Sequence, residues 1–93
     1  MEIQQKDHAN NGMFFISHDG KIIAKMTYVW AEMDKTIIIN HTEVDEKFRE
    51  KGVGKQLIAK AVEFARKNEI KIVPLCPFAK NVFNKVSEYK DVL

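Results

Sequence analysis

Residues 36–65 read TIIINHTEVDEKFREKGVGKQLIAKAVEFA, and a change of period inside that stretch decides the fold. Thr36 to Val44 carries the β-branched triplet Ile37-Ile38-Ile39, which suits a strand at the centre of a sheet. From Lys55 onward Leu57, Ile58, Ala61, Val62 and Ala65 fall on one apolar stripe at helical spacing, with Lys55, Lys60, Glu63 and Lys67 outside it. This predicts a helix that starts near Gly52 or Val53 and stops at Asn68. Asp45 to Lys55, between the two, reads as a loop.

Toward the N-terminus the period is mostly two, which predicts antiparallel strands over Glu2 to Asp7, Met13 to Ser17 and Lys21 to Trp30. Asn10-Asn11-Gly12 and Asp19-Gly20 supply the turns, and a polar break through Glu32, Asp34 and Lys35 precedes the Ile-rich strand. Toward the C-terminus Ile70 to Leu75 reads as a strand reached by a crossover helix, and therefore parallel to Thr36 to Val44. A last helix from Ala79 to about Lys90 would bury Val82, Phe83, Val86 and Tyr89. The class is α+β: four antiparallel strands, a helix, a parallel strand and a helix.

With 93 residues, 45% hydrophobic and 30% charged, the chain has room for one domain spanning 1–93. Its net charge of +2 is too close to balance for a protein that grips nucleic-acid backbones by bulk electrostatics. Phe14, Phe15, Tyr28 and Trp30 sit at strand positions where aromatic residues are core or cross-strand partners rather than base-stacking platforms. One cysteine forms no internal disulfide, Met1 to Asp7 lacks the basic flank and apolar run of an export signal, and no apolar run reaches the ~18 residues of a membrane span. The expectation is a cytoplasmic monomer that binds neither nucleic acid nor membrane. A single Cys with three scattered His offers no metal-ligand spacing, so no metal is expected.

The loop before the helix has a legible logic. The first N–H groups of a helix lack intrahelical acceptors and carry about half a positive charge, and Gly52 and Gly54 remove side chains that would keep an anion from them. Lys47, Arg49, Lys51 and Lys55 gather positive charge around that point, where a diphosphate would be held mainly by backbone donors. The stretch is not a Walker loop, because Gln56 follows Gly54-Lys55, nor a dinucleotide fingerprint, which needs three glycines.

Arg49-Glu50-Lys51-Gly52-Val53-Gly54 resembles the Arg/Gln-x-x-Gly-x-Gly/Ala signature of the GNAT superfamily of acetyl-coenzyme A-dependent N-acetyltransferases, and the order of elements on either side matches as well. His-Thr-Glu-Val before the loop and Cys-Pro-Phe after the next strand resemble the minimal YjdJ-like acetyl-CoA-binding subgroup. The resemblance covers about Lys21 to Tyr89. It implies a GNAT-like mixed sheet and an acyltransferase that moves acetyl from acetyl-CoA to an amine, directly or through a cysteine; the alternative is a non-catalytic coenzyme A-binding module or sensor. By resemblance, Arg49, Glu50, Lys51, Gly52, Val53, Gly54 and Lys55 bind the cofactor, with the amides from Lys51 to Lys55 holding its pyrophosphate; Val44 offers backbone groups to the pantetheine arm, and Asn81 is a further contact. Departures exist: the helices between the first strands and the terminal strand pair of larger relatives are missing, and Tyr89 stands at an imperfect spacing for the family's leaving-group tyrosine.

Two readings concern the chemistry. Pro74 and Pro77 flank Cys76 and lack N–H groups, so the last strand should splay and leave Thr36 to Val44 open for the pantetheine arm to pair with. An amine acceptor with pKa ~10.4 must lose a proton at a cost near ~4.6 kcal/mol at pH 7. His41, expected on one strand face with Ile37, Ile39 and Glu43, is the titrating candidate to receive it, with Glu43 to orient it. Cys76, at the start of the last helix, is the candidate nucleophile for an acetyl-cysteine route.

Overall fold

The structure is a computed structural model that describes residues 2–32 and 35–93; Met1, read above with the N-terminal stretch, and Asp34, read above within the polar break, lie outside the described residues. Five strands form one sheet in chain order: β1 (Gln4–Asp7), β2 (Asn11–His18), β3 (Lys21–Trp30), β4 (Thr36–Val44) and β5 (Lys71–Pro74). The first four pair antiparallel, and β4 pairs with β5 in parallel. Helix α1 (Val53–Asn68) makes the crossover between β4 and β5, and α2 (Pro77–Lys85) follows β5.

Local chemistry explains the joints. Asp19 (φ 51°) and Gly20 (φ 75°) close the β2–β3 hairpin in the left-handed conformations that a two-residue turn needs. Asn11 and Gly12, expected in a turn, are already strand residues, because Gly12 lies between Asp7 and Tyr28 and a side chain there would meet the Tyr28 ring and the Lys6 carbonyl. The Tyr28 hydroxyl in turn donates to Asp7 Oδ1 at 2.6 Å and accepts from Gln5 Nε2 at 2.9 Å; burial and the bond to Asp7 push this phenol well above its usual pKa. Helix α1 ends on Glu69 in the left-handed region, with Ile70 N–H returning to Ala65 C=O at 2.8 Å.

Phe14, Ile16, Met26, Tyr28, Ile37, Ile39 and Ile72 point from one sheet face into a core completed by Leu57, Ile58, Ala61, Val62 and Ala65 of α1 and Ala79, Val82 and Phe83 of α2. Phe64 packs its ring against Phe14, Tyr28 and Trp30, so these aromatics are internal partners. Two expected elements differ. The segment after β4 is a 3₁₀ turn over Glu46–Lys51, because the Asp45 side chain accepts from Lys47 N–H at 3.0 Å and caps it. The last helix starts earlier, where Pro77 occupies its first turn, and breaks at Val86 (φ −105°, ψ 92°) into a 3₁₀ turn over Ser87–Val92. Arg66 holds that turn on α1 through both oxygens of Asp91 and the Glu88 carbonyl. No helix among the described residues is long and apolar enough to cross a membrane, and no group of three His, Cys, Asp or Glu among them is placed to hold a metal ion.

Candidate functional site

The parallel pairing of β4 with β5 runs from Thr36 to Ile39 and ends at Pro74. Leu75 and Cys76 both donate their N–H groups to the Ile39 carbonyl, at 2.9 and 3.1 Å, and the chain then turns into α2. Among the described residues β4 thus has no strand neighbour on this side from Asn40 to Val44. The opening is shorter than the expected Thr36 to Val44, because Thr36 to Ile39 are occupied by β5. Asp45 N–H donates to Ile23 C=O on β3, so strand alternation turns the Val44 N–H and C=O toward the opening. Arg49 Nε donates to that carbonyl at 3.2 Å.

Where β3 and β4 pair, Tyr28 lies opposite Ile39 and Thr27 opposite His41, which leaves Asn40 as one extra residue. This bulge shifts the alternation. Thr42 and Val44, opposite buried Met26 and Ala24, point toward the helices, while His41 and Glu43 point to the other face of the sheet. His41 therefore does not share a face with Ile37 and Ile39, as its spacing implied. Its side chain is 57% exposed, 3.8 Å from Glu43, whose other oxygen is 3.5 Å from Lys25 Nζ.

At the end of β4 lies a cleft of about 730 Å³ lined by Val44, Arg49, Gly52, Gly54, Lys55 and Phe78, together with Thr42, Asp45 and residues 22–25 and 43 of the neighbouring strands. Gly52 caps α1 in the left-handed region (φ 70°, ψ 17°) and, being glycine, offers the first turn no side-chain cap. The first helical bond is Gln56 N–H to Gly52 C=O at 3.1 Å, so the N–H groups of Val53, Gly54 and Lys55 have no acceptor inside the helix. An added Cβ on Gly52 would meet nothing within 4 Å, whereas one on Gly54 would lie 2.7 Å from Phe78 Cζ. Gly52 is thus required by its conformation and Gly54 by the ring laid against it. Asp45 brings a carboxylate to the same cleft, held below the usual carboxylate range by the Lys47 N–H and nearby Lys21.

Cys76 is the N-cap of α2. Its Sγ accepts from Ala79 N–H at 3.4 Å, lies 3.4 Å from Thr42 Oγ1, and the residue is 7% exposed. Cys76 and His41 are thus on opposite sides of β4 rather than side by side. Of the residues implied by resemblance, Val44, Arg49, Gly52, Gly54 and Lys55 line the cleft; Glu50 and Lys51 are exposed on the 3₁₀ turn, the Val53 side chain is buried in the core, and Asn81 is exposed on α2 outside the cleft lining. Thr42 and Phe78 stand inside quoted motifs, but the sequence assigned neither side chain a role in the cleft. Phe78 enters the sequence reading only as the end of Cys-Pro-Phe, with no contact assigned to it, and Thr42 reaches the cleft only through the bulge at Asn40.

The sheet is thus parted beyond one parallel pair, with a glycine-capped helix at the gap, and comparison with known proteins gives this arrangement a family. A family model described as GCN5-related N-acetyl-transferase matches residues 13–92. The chain belongs to the GCN5-related N-acetyltransferase family. The solution structure of a GCN5-like N-acetyltransferase candidate from Staphylococcus aureus is 37% identical and superposes with a TM-score of 0.74, covering 98% of this chain and 85% of that one. A ribosomal-protein-alanine N-acetyltransferase from Brucella melitensis biovar Abortus 2308 shares the fold at 16% identity and a TM-score of 0.71, covering 85% of this chain and 62% of that one. A candidate streptothricin acetyltransferase from Bacillus anthracis, in complex with acetyl coenzyme A, is 26% identical with a TM-score of 0.60, covering 73% of this chain and 39% of that one. A search of curated protein sequences returns no match.

Proposed function

We propose that the protein binds acetyl-CoA in the cleft at the end of β4 and transfers the acetyl group to an amine. The observation that carries this reading is the meeting, in one cleft, of a helix N-terminus capped by glycine and a strand edge that has no strand partner among the described residues. The amides of Val53, Gly54 and Lys55 would hold the pyrophosphate, with Arg49, Lys51 and the Lys55 side chain adding positive charge. Glu50 and Asn81 remain part of the proposed contact set at its margin. The free edge from Asn40 to Val44 would pair with the amides of the pantetheine arm, which requires the Arg49 side chain to release the Val44 carbonyl.

The bound donor supplies an activated acyl group as a thioester. Cys76 forms a bond from Sγ to the acetyl carbon while the bond from that carbon to the coenzyme sulfur breaks, and the thiol proton leaves on the coenzyme sulfur. The amine then attacks the acetyl-cysteine; a C–N bond forms, the C–S bond breaks and Cys76 regains a proton from the nitrogen. Cys76 lies on the helix face, so the amine reaches the acetyl group through the gap beside β4 beyond Ile39, after passing the exposed face that bears His41 and Glu43. His41 receives the ammonium proton there, a task worth ~10²- to 10⁴-fold in rate when well placed.

Incubation with acetyl-CoA followed by intact mass tests the covalent step: one added acetyl on the wild type and none on Cys76→Ala is the expected result. Transfer is tested by release of free thiol in the presence of an amine panel. Binding without thiol release for any amine would replace this reading with that of a coenzyme A-binding module.

A further inference from the structure

Thr42 is placed where the chemistry proposed above needs a second hydrogen-bonding group. Without the extra residue Asn40 it would point away from the helices; with it, Thr42 faces inward opposite Met26, half-buried, on the cleft wall beside Val44. Its Oγ1 lies 3.4 Å from Cys76 Sγ, and the Ala79 N–H donates to the same sulfur, also at 3.4 Å. The amide is only a donor, so it uses the sulfur as an acceptor, while the hydroxyl can rotate to donate as well. Cys76 is 7% exposed, so water has little room to supply these bonds.

We propose that Thr42 is a positioning residue for acyl transfer, whose hydroxyl donates to Cys76 Sγ as charge gathers on the sulfur. Thr42 keeps its own proton throughout; it fixes the direction of the sulfur toward the free edge of β4 and completes, with Ala79 N–H, a pair of donors around it. The inference rests on the cysteine route under the proposed function, and its test does not use acetyl-CoA, so the two fail separately.

The test is the rate at which iodoacetamide alkylates Cys76 at pH 7, followed by intact mass, in Thr42→Val and Thr42→Ser, with a thermal melt of each. Valine keeps the shape and removes the donor, whereas serine keeps the donor and removes the methyl group. Loss of one hydrogen bond to a sulfur gathering charge should slow alkylation about three- to tenfold in Thr42→Val, with Thr42→Ser within about twofold of the wild type. Should Thr42→Val melt too low to assay, Thr42→Ala against Thr42→Ser isolates the hydroxyl equally, since both lack the methyl group. Equal rates for Thr42→Val and wild type, or equal slowing in the serine variant, would overturn the proposal. Absence of an acetyl adduct on the wild type would overturn the role in acyl transfer by a different route, removing the cysteine step even where the alkylation rates follow the hydroxyl.

Discussion

Gly52 and Gly54 are two residues apart and required for different reasons, so substitution should separate them. Gly52 sits at φ 70° with open space where a Cβ would go. Gly52→Ala makes no clash; it carries the left-handed penalty of an L residue, about 1–2 kcal/mol. For a domain of this size each kcal/mol lowers Tm by about 4–8 °C, so Gly52→Ala should melt about 4–16 °C lower, with Gly52→Asn recovering part of the loss. At Gly54 the new Cβ would be 2.7 Å from Phe78 Cζ, against an ordinary carbon contact of about 3.5 Å, so the ring must give by about 0.8 Å. Phe78 is 36% exposed and lines the cleft, so it swings into the cleft rather than into the core. An off-rotamer ring costs about 0.5–1.5 kcal/mol, and the better helix propensity of alanine returns about 0.8–1 kcal/mol, so Gly54→Ala should melt near the wild type. Its affinity for acetyl-CoA should fall about tenfold, or about 1.4 kcal/mol, because the displaced ring takes up cleft volume. Adding Phe78→Leu should restore binding. Melting by circular dichroism and calorimetric titration read the two quantities; a wild-type melt for Gly52→Ala, or undiminished binding by Gly54→Ala, would refute the reasoning.

Two further predictions concern charge. Asp91 is held below the usual carboxylate range, chiefly by its hydrogen bonds to Arg66, so its contribution is complete above the unfolded carboxyl pKa and disappears as pH falls through the lower folded value. Asp91→Asn should therefore lower Tm at pH 7, and the gap to the wild type should close as the buffer is taken down through the carboxylate range; a constant gap would show that Asp91 acts through packing. His41 faces away from Cys76, so His41→Ala should alkylate at Cys76 at the wild-type rate while losing about 10²-fold in amine-dependent transfer. Equal transfer in both proteins would remove His41 from the reaction.

Much of the fold was legible because the chain states its period plainly. The α1 stripe from Leu57 to Ala65, the Asp19-Gly20 turn and the Ile37–Ile39 triplet each admit one element, and all appear where spacing places them. The inward set Val82, Phe83, Val86 and Tyr89 was also sound as a list of residues turned to the core, yet it runs across a helix broken at Val86, since a 3₁₀ turn places apolar residues three apart just as a helix does. The face of His41 was not legible. Period-two reading assigns faces by counting, and the one extra residue at Asn40 reverses the count for everything after it. The bulge thus turns His41 away from the helices and brings Thr42 to Cys76. The packing of Phe78 on Gly54 was missed because the two lie 24 positions apart, and one sequence does not record such a contact.

Helix-amide capture of linked phosphates is tested most directly by following backbone amide shifts while acetyl-CoA is titrated into the isotopically labelled protein. The largest changes should fall at Val53, Gly54 and Lys55, with a second set at Thr42, Val44 and Phe78. Changes confined to the β1–β2 and β2–β3 hairpins, or no saturable change up to millimolar donor, would contradict it.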